Sequence, residues 1–206
     1  VSAIPVYEIA FTGSFQIRSL YEAGLRSLLP EVSRLGADMT IKAQKRIKQL
    51  NGRAVKLILL FGVPVYTIFF IFAPIILNLW LGSEFTGVLP GVFRIMLLGT
   101  FSSLLCVPAY YTLMGLGKVQ YCVLAQAIQG LVNAGLVAAI LVFTKAVSIY
   151  SVSVAAMLAM CATTAYVLWQ NRRFLHGLRL KPISQSSEVD ISMPSSLYVS
   201  QIAHSK

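Results

Sequence analysis

The chain has little of what catalytic and metal centres are usually built from. Its 206 residues include only two histidines, three cysteines and seven acidic residues. Both histidines, His176 and His204, lie near the C-terminal end, and each cysteine stands alone in an apolar stretch. The sequence also lacks the motifs of phosphate-binding loops, zinc proteases and serine hydrolases. These absences predict no metal site and no cofactor, and they indicate that the chain is not an enzyme.

Charge of either sign is nearly missing from one long part of the chain. Between Leu57 and Gln170 the charged residues are Glu84, Arg94, Lys118 and Lys145. The rest of this part falls into apolar runs. Each run is at least about 20 residues long, which is the length that a helix needs to cross a hydrocarbon core of about 30 Å. The hydrophobic fraction of 57% and the mean hydropathy of +0.75 agree. We therefore predict an all-α, polytopic transmembrane helix bundle.

Five transmembrane helices are predicted from these runs and from the polar first helix. Their expected bounds are 1–29, 55–81, 88–114, 119–143 and 147–170, so that residues 1–171 form one bundle. Prolines are expected to end the first helix, to bend the second and to interrupt the third; they are Pro30, Pro64, Pro74 and Pro108. Residues 31–54 form a basic connector with a short helix along the membrane surface. Residues 172–206 form a Ser-rich cytoplasmic tail that is predicted to be disordered.

The positive charges predict the orientation of the bundle. The net charge is +10, but the cations flank the apolar runs in short segments, which does not indicate nucleic-acid binding. Most of them belong to the connector, to Lys118 and to the start of the tail, which all fall on one side. The positive-inside rule assigns this side, with the C-terminus, to the cytoplasm. The connector either only sets this topology or also contacts anionic headgroups of the membrane lipids.

The predicted first helix carries an ionisable stripe. Arg18, Glu22 and Arg26 follow one another at i, i+4 and i+8, and Glu8 and Tyr7 lie further along the same face. A charge at mid-membrane costs at least about 2.5–3.5 kcal/mol, so such residues are expected to face protein or water. Either the arginines and Glu22 neutralise one another, or the surplus positive charge attracts an anionic substrate. These five residues are the first candidate binding site.

The predicted fourth helix carries a second polar face. Gln126, Gln129 and Asn133 share this face at i, i+3 and i+7. Amides inside hydrocarbon need partners, so the face is expected to point into the bundle. It either joins helices by hydrogen bonds or contacts hydroxyl groups of a substrate. Tyr110 and Tyr111 are interpreted as packing or membrane-interface residues.

Four short segments near the start of the chain match a known pattern. They are VYEIA at 6–10, QIRSL at 16–20, EAGLR at 22–26 and LPEVSRL at 29–35, followed by a basic loop, a proline-broken helix and three further helices. This pattern resembles bacterial polysaccharide-biosynthesis membrane proteins. Those proteins are the lipid-linked oligosaccharide flippases, of O-antigen and capsule type, in the multidrug/oligosaccharidyl-lipid/polysaccharide exporter superfamily. The resemblance covers roughly residues 1–170.

The resemblance implies a fold, a substrate and partners. The chain would be most of the C-terminal bundle of a larger transporter with two similar bundles. Such a transporter moves an undecaprenyl-diphosphate-linked oligosaccharide to the outer leaflet by alternating access, coupled to a gradient of H+ or Na+. Polysaccharide polymerase components are implied as partners. Arg18 and Arg26 would supply cations for the diphosphate, and amides and aromatic rings would face the sugars.

Two alternatives stay open at this point. A drug or cation antiporter of the same superfamily would favour an acidic, aromatic cavity, against which the positive charge of the stripe argues. A non-transporting scaffold of a polysaccharide assembly complex would use the stripe as an interface with a partner helix. Transport of labelled lipid-linked sugar in reconstituted vesicles separates these functions.

The topology can be tested by cysteine labelling in intact cells. Cysteines introduced at Gln44 in the connector and at Ser187 in the tail are expected to be protected from a membrane-impermeant thiol reagent, because both positions are predicted to be cytoplasmic. Strong labelling of either position from outside would reverse the predicted orientation.

Overall fold

The computed structural model describes residues 3–38, 40–82, 87–144 and 148–177, and these ranges are helical with no strand. The helices are α1 (Ala3–Leu25), α2 (Leu28–Asp38), α3 (Ile41–Leu57), α4 (Val63–Ile71), α5 (Ala73–Leu81), α6 (Leu89–Gly115), α7 (Val119–Thr144) and α8 (Ile149–Gly177). A π-helical segment, Ile58–Gly62, joins α3 to α4 without ending the helix. The predicted all-α fold class is confirmed.

Four helical stretches are long and apolar enough to cross a membrane. They are Ile41–Ile71, Leu89–Gly115, Val119–Phe143 and Ile149–Leu175. The chain is therefore a membrane protein. α1, predicted as a further span, is not among these four, because Glu8, Arg18 and Glu22 fall within its 23 residues.

The centre of the bundle is α6, and α1 runs beside it. Most of α6 is buried, and it packs against α1, α2, α5 and α8. The two helices point the same way: Gly13 of α1 lies beside Phe93 near the start of α6, and Glu22 contacts Tyr111 near its end. α1 therefore extends along the apolar α6 although its own sequence is more polar.

The other two apolar helices differ in how tightly they are held. The backbones of α6 and α8 approach closely at Gly99, where a Cβ would stand only 3.1 Å from the Cα of Met157. Glycine at this position permits the close packing of the two helices. α7 packs chiefly on α8 and only lightly on α6, and among its described side chains those of Cys122 and Ala125 are buried. α7 therefore lies at the periphery of the bundle.

The basic connector is helical, which corrects its prediction as a loop with a short surface helix. α1 ends at Leu25, and Pro30 lies in the first turn of α2, where its missing N–H is not needed. α3 continues through the π-helical segment into α4 as one long helix. Thr40 caps its start, since its Oγ1 accepts the Ala43 N–H at 3.2 Å. The buried face of Ala43, Ile47 and Ala54 then supplies the packing that a loop would lack.

Prolines alter one predicted helix but not another. Pro64 follows the π-helical segment, and a break at Phe72 precedes Pro74, as expected for this span. Pro108 does not interrupt α6, contrary to the prediction. α6 is packed on several sides by neighbouring helices, which hold it continuous across the missing backbone hydrogen bond.

Side chains from two other helices bind carbonyl groups at the altered sites. Arg94 of α6 donates from Nε to the Phe70 carbonyl at 2.9 Å and from Nη2 to the next carbonyl at 3.4 Å. The Phe70 carbonyl precedes Pro74 by four residues, so the proline offers it no N–H and the arginine replaces that donor. The hydroxyl of Tyr21 donates to the Phe61 carbonyl in the π-helical segment at 3.1 Å. Arg94 thus has a structural partner within an apolar helix.

Contacts among the connecting segments define two ends of the bundle. Gly36 of α2 lies against Leu116 in the α6–α7 turn, and the Nζ of Lys118 stands 5.6 Å from the ring centre of Phe174 near the end of α8. We call this the basic end. At the opposite end, Tyr150 at the start of α8 donates to the carbonyl just before α6 at 3.5 Å. The assignment of the basic end to the cytoplasm stays a prediction.

Several predictions concern residues outside the described ranges. Glu84 and Lys145 lie there, as does the predicted disordered tail from residue 178 onward, which includes His204. Residues 172–177, which were assigned to the tail, belong to α8.

Replacement of Arg94 by alanine is expected to destabilise the bundle, because it leaves carbonyl groups at the Pro74 break without donors. Hydrogen bonds from charged donors contribute about 1.5–3 kcal/mol, so the melting temperature in detergent should fall by roughly 3–12 °C. Arg172→Ala, at an exposed arginine, is the matched control and should shift it little. Equal melting temperatures for the two variants would contradict the role given to Arg94.

A candidate binding cavity among four helices

A polar cavity of about 370 Å³ lies among α1, α6, α7 and α8. Its size falls within the range of small-molecule binding sites. α1 contributes the charged groups, α7 contributes amides, and α6 and α8 contribute hydroxyl groups and apolar surface. The polar or aromatic lining residues are Phe15, Arg18, Ser19, Glu22, Arg26, Ser103, Tyr110, Tyr111, Gln126, Gln129, Thr163 and Thr164.

Glu22 is the centre of the charged wall. Its Oε2 lies 3.5 Å from Nη2 of Arg18, one helical turn away, and its Oε1 accepts a hydrogen bond from the Tyr111 hydroxyl at 3.2 Å. Both carboxylate oxygens are therefore engaged by groups of the protein. The contact with Tyr111 also ties α1 to α6 at the level of the cavity.

Arg18 is only partly satisfied by this pair. Its guanidinium carbon lies 4.9 Å from the ring centre of Phe15, so a cation–π contact holds the side chain on α1. Its Nε is buried and has no hydrogen-bond partner among the described residues. Arg18 thus retains a donor for which the described part of the chain supplies no acceptor.

The predicted stripe of α1 divides into two parts. Arg18, Glu22 and Arg26 line the cavity, with Arg26 exposed just beyond the end of α1. Glu8 is exposed and Tyr7 stacks on Phe11 with ring centres 6.1 Å apart, and neither lines the cavity. Four of the five residues lie on α1 and Arg26 follows its end, and the cavity adjoins only the C-terminal part of this predicted face.

The second polar face is divided in the same way. Gln126 and Gln129 line the cavity, and Asn133, one to two turns further along α7, does not. Asn133 is half-buried, and its Oδ1 is buried without a hydrogen-bond partner in the described part of the chain.

Hydroxyl groups of α6 and α8 line the opposite wall, and the sequence did not single them out. The hydroxyls of Ser103, Thr163 and Thr164 each donate to a helix carbonyl, at 2.8, 2.9 and 3.1 Å. A hydroxyl whose hydrogen is used in this way still has lone pairs free to accept. Tyr110 and Tyr111, interpreted as packing residues, also reach the cavity. Serine and threonine are common in membrane helices, so their spacing alone carried no usable signal.

The described lining of the cavity offers hydrogen-bond donors and acceptors, and it contains a single acid and no histidine. Within the described ranges there is no group of three or more His, Cys, Asp or Glu residues that could hold a metal ion. The cavity instead combines cationic donors, hydroxyl acceptors, amides and aromatic rings. Such walls recognise a ligand that carries both anionic and hydroxyl groups.

No known family model matches the chain, and neither a curated protein nor a solved structure is significantly similar to it. The resemblance to oligosaccharide flippases therefore stays an expectation from the sequence.

Water access to the cavity can be tested on one helix. In a variant without native cysteines, Gln126→Cys is expected to react readily with a water-soluble thiol reagent, because residue 126 lines the polar cavity. Leu131→Cys is the control: it is 74% exposed on the same helix but lies outside the cavity, where lipid would shield it. Thiol labelling followed by mass spectrometry measures the difference. Equal reactivity at the two positions would contradict a water-filled cavity.

Proposed function

We propose that the chain is part of a membrane transporter that moves a lipid-linked oligosaccharide across the cytoplasmic membrane during polysaccharide biosynthesis. The cargo class is an oligosaccharide carried on undecaprenyl diphosphate. It enters from the cytoplasmic leaflet and leaves to the outer leaflet by alternating access, driven by a gradient of H+ or Na+. In this proposal the basic end and the C-terminus face the cytoplasm, and the chain is neither an enzyme nor dependent on a cofactor.

The observation that carries the proposal is uncompensated positive charge in the cavity. Arg18 and Arg26 stand against one acid, Glu22, which leaves one positive charge in excess. Both Glu22 oxygens are already engaged, and the Nε of Arg18 lacks an acceptor among the described residues. A diphosphate supplies acceptor oxygens for these donors, and the planar guanidinium suits phosphate geometry.

The uncharged walls support a sugar as the second part of the cargo. Sugar hydroxyls both donate and accept hydrogen bonds. The acceptor lone pairs of Ser103, Thr163 and Thr164 and the amides of Gln126 and Gln129 match both requirements. The rings of Phe15 and Tyr110 line the same cavity and offer apolar surface to the sugar face. A cation as cargo is disfavoured, because the excess charge in the cavity is positive.

A packing role for the charged stripe is the competing explanation. The 3.5 Å contact between Arg18 and Glu22 is long for a strong ion pair, yet it partly neutralises both groups. If neutralisation were the whole purpose, the cavity would be an accident of packing or a surface for a partner helix. The two explanations differ in what happens when both charges are removed together.

Arg18→Ala is expected to abolish transport while the protein level in the membrane stays near normal. Loss of charge-assisted hydrogen bonds to the diphosphate should weaken binding of the lipid-linked oligosaccharide by about 10- to 100-fold. Arg18→Lys should keep part of the activity, because it preserves the charge but not the two-pronged geometry. Uptake of labelled lipid-linked oligosaccharide into vesicles reconstituted with the complete transporter that contains this chain measures this, with immunoblots for protein amount.

The control and the contradicting result use two further variants. Lys118→Ala removes a cation outside the cavity lining and should leave transport unchanged. If Arg18 only packs against Glu22, Arg18→Ala will lower expression, and the addition of Glu22→Gln will restore both expression and transport. A fully active double variant would therefore contradict a role for Arg18 in cargo binding.

A further inference from the structure

The exposed face of α3 carries a row of cations at the basic end. Lys42, Lys45, Arg46, Arg53 and Lys56 are all exposed, and at 100° per residue they fall within an arc of about 100°. We call these five residues the cationic stripe. It extends over about 21 Å of helix. Within the described residues its one ion pair joins Arg46 to Glu31 at 3.6 Å. Most of its charge is therefore not paired with any acid whose side chain the structure describes.

The stripe continues into apolar surface on the same long helix. Leu57 is 53% exposed and Leu60 is 65% exposed. Both come directly after the stripe along the helix and lie on the same side of it. The opposite face of α3 is the one buried against the bundle. Side chains such as Leu57 and Leu60 meet acyl chains when a helix crosses a membrane. The cationic stripe therefore continues the lipid-facing side of the bundle at the basic end. It does not continue the interior of the bundle.

The depth of each cation follows from the helix rise. If the hydrocarbon begins at Leu57, Lys56 and Arg53 lie about 1.5 and 6 Å outside it, within a headgroup layer of about 5–8 Å. Lys45 and Lys42 lie about 18 and 22 Å outside it. That is at least about one Debye length, about 8–10 Å, beyond the headgroup layer. Arg53 and Lys56 therefore form an inner pair, at the depth of the lipid phosphates. Lys42 and Lys45 form an outer pair, which lies beyond them.

We propose that Arg53 and Lys56 bind the headgroups of anionic phospholipids in the leaflet at the basic end. Arg53 offers a two-pronged donor to phosphate oxygens, and Lys56 adds a point charge beside it. Clusters of cations next to a membrane-spanning helix are typical of attraction to anionic lipid. This site is separate from the cavity and does not depend on the proposed transport function.

The inner and outer pairs allow a matched experiment, because replacing either pair by glutamine removes two positive charges. The full chain in detergent is titrated with phosphatidylglycerol, and native mass spectrometry counts the bound lipid. Arg53→Gln/Lys56→Gln is expected to weaken binding by about fivefold per cation, or about 20- to 30-fold if the two effects add. Lys42→Gln/Lys45→Gln should weaken it by less than about threefold. Phosphatidylcholine should bind weakly to every form.

A charge-preserving variant separates lipid binding from folding. Arg53→Lys/Lys56→Arg should bind phosphatidylglycerol within about threefold of the unaltered chain, and melting temperatures should be alike because all the exchanges are at exposed positions. Unchanged binding in Arg53→Gln/Lys56→Gln would overturn the proposal. Equal losses in the two glutamine pairs would also overturn it. A larger loss in the outer pair would do so as well, because it would place the lipid site at Lys42 and Lys45 instead.

Discussion

A carboxylate at membrane depth has to find its partners inside the protein, and Glu22 meets this constraint through two helices. Arg18 lies on its own helix, and Tyr111 lies on α6. The contact with Tyr111 fixes α1 against the central helix at the level where the cavity opens. α1 is too polar to count among the apolar spans, and it has a second polar tie at nearly the same level, from the Tyr21 hydroxyl to the Phe61 carbonyl. The charged wall of the cavity and the packing of α1 thus depend on the same group.

The long helix from α3 to α5 follows a related rule. Proline removes backbone donors where no water can replace them, and the bundle replaces them with the side chain of Arg94. Tyr21, which belongs to α1, donates to a carbonyl of the π-helical segment. The two altered sites are therefore held by the two helices that flank this span. A cation in an apolar helix need not mark a ligand site. Arg94 binds backbone carbonyls, whereas the Nε of Arg18 has no acceptor among the described residues.

Hydropathy and helical periodicity predicted the membrane class, the helical fold and the bounds of the last three helices within a few residues, apart from the C-terminal extension of α8. The angular position of Arg18, Glu22 and Arg26 was likewise predictable. Periodicity assigns a face but not a depth or a neighbour, so it could not separate Glu8 and Tyr7 from the cavity. It also could not show that Ser103 and Thr164 complete the opposite wall, because their hydroxyls differ from ordinary packing residues only in where they point. The helical connector was missed because its many cations concealed the buried stripe of α3.

The walls of the cavity are joined to one another unequally. α6 packs closely on both α1 and α8, whereas α7 packs closely on α8 alone and buries Cys122 and Ala125. A displacement of α7 would open this contact but leave the α1–α6 pair intact. Gln126 and Gln129 would move with it, while the charged groups stayed behind. Such a shift would change the distance between the amides and the charged groups, and with it the shape of the cavity.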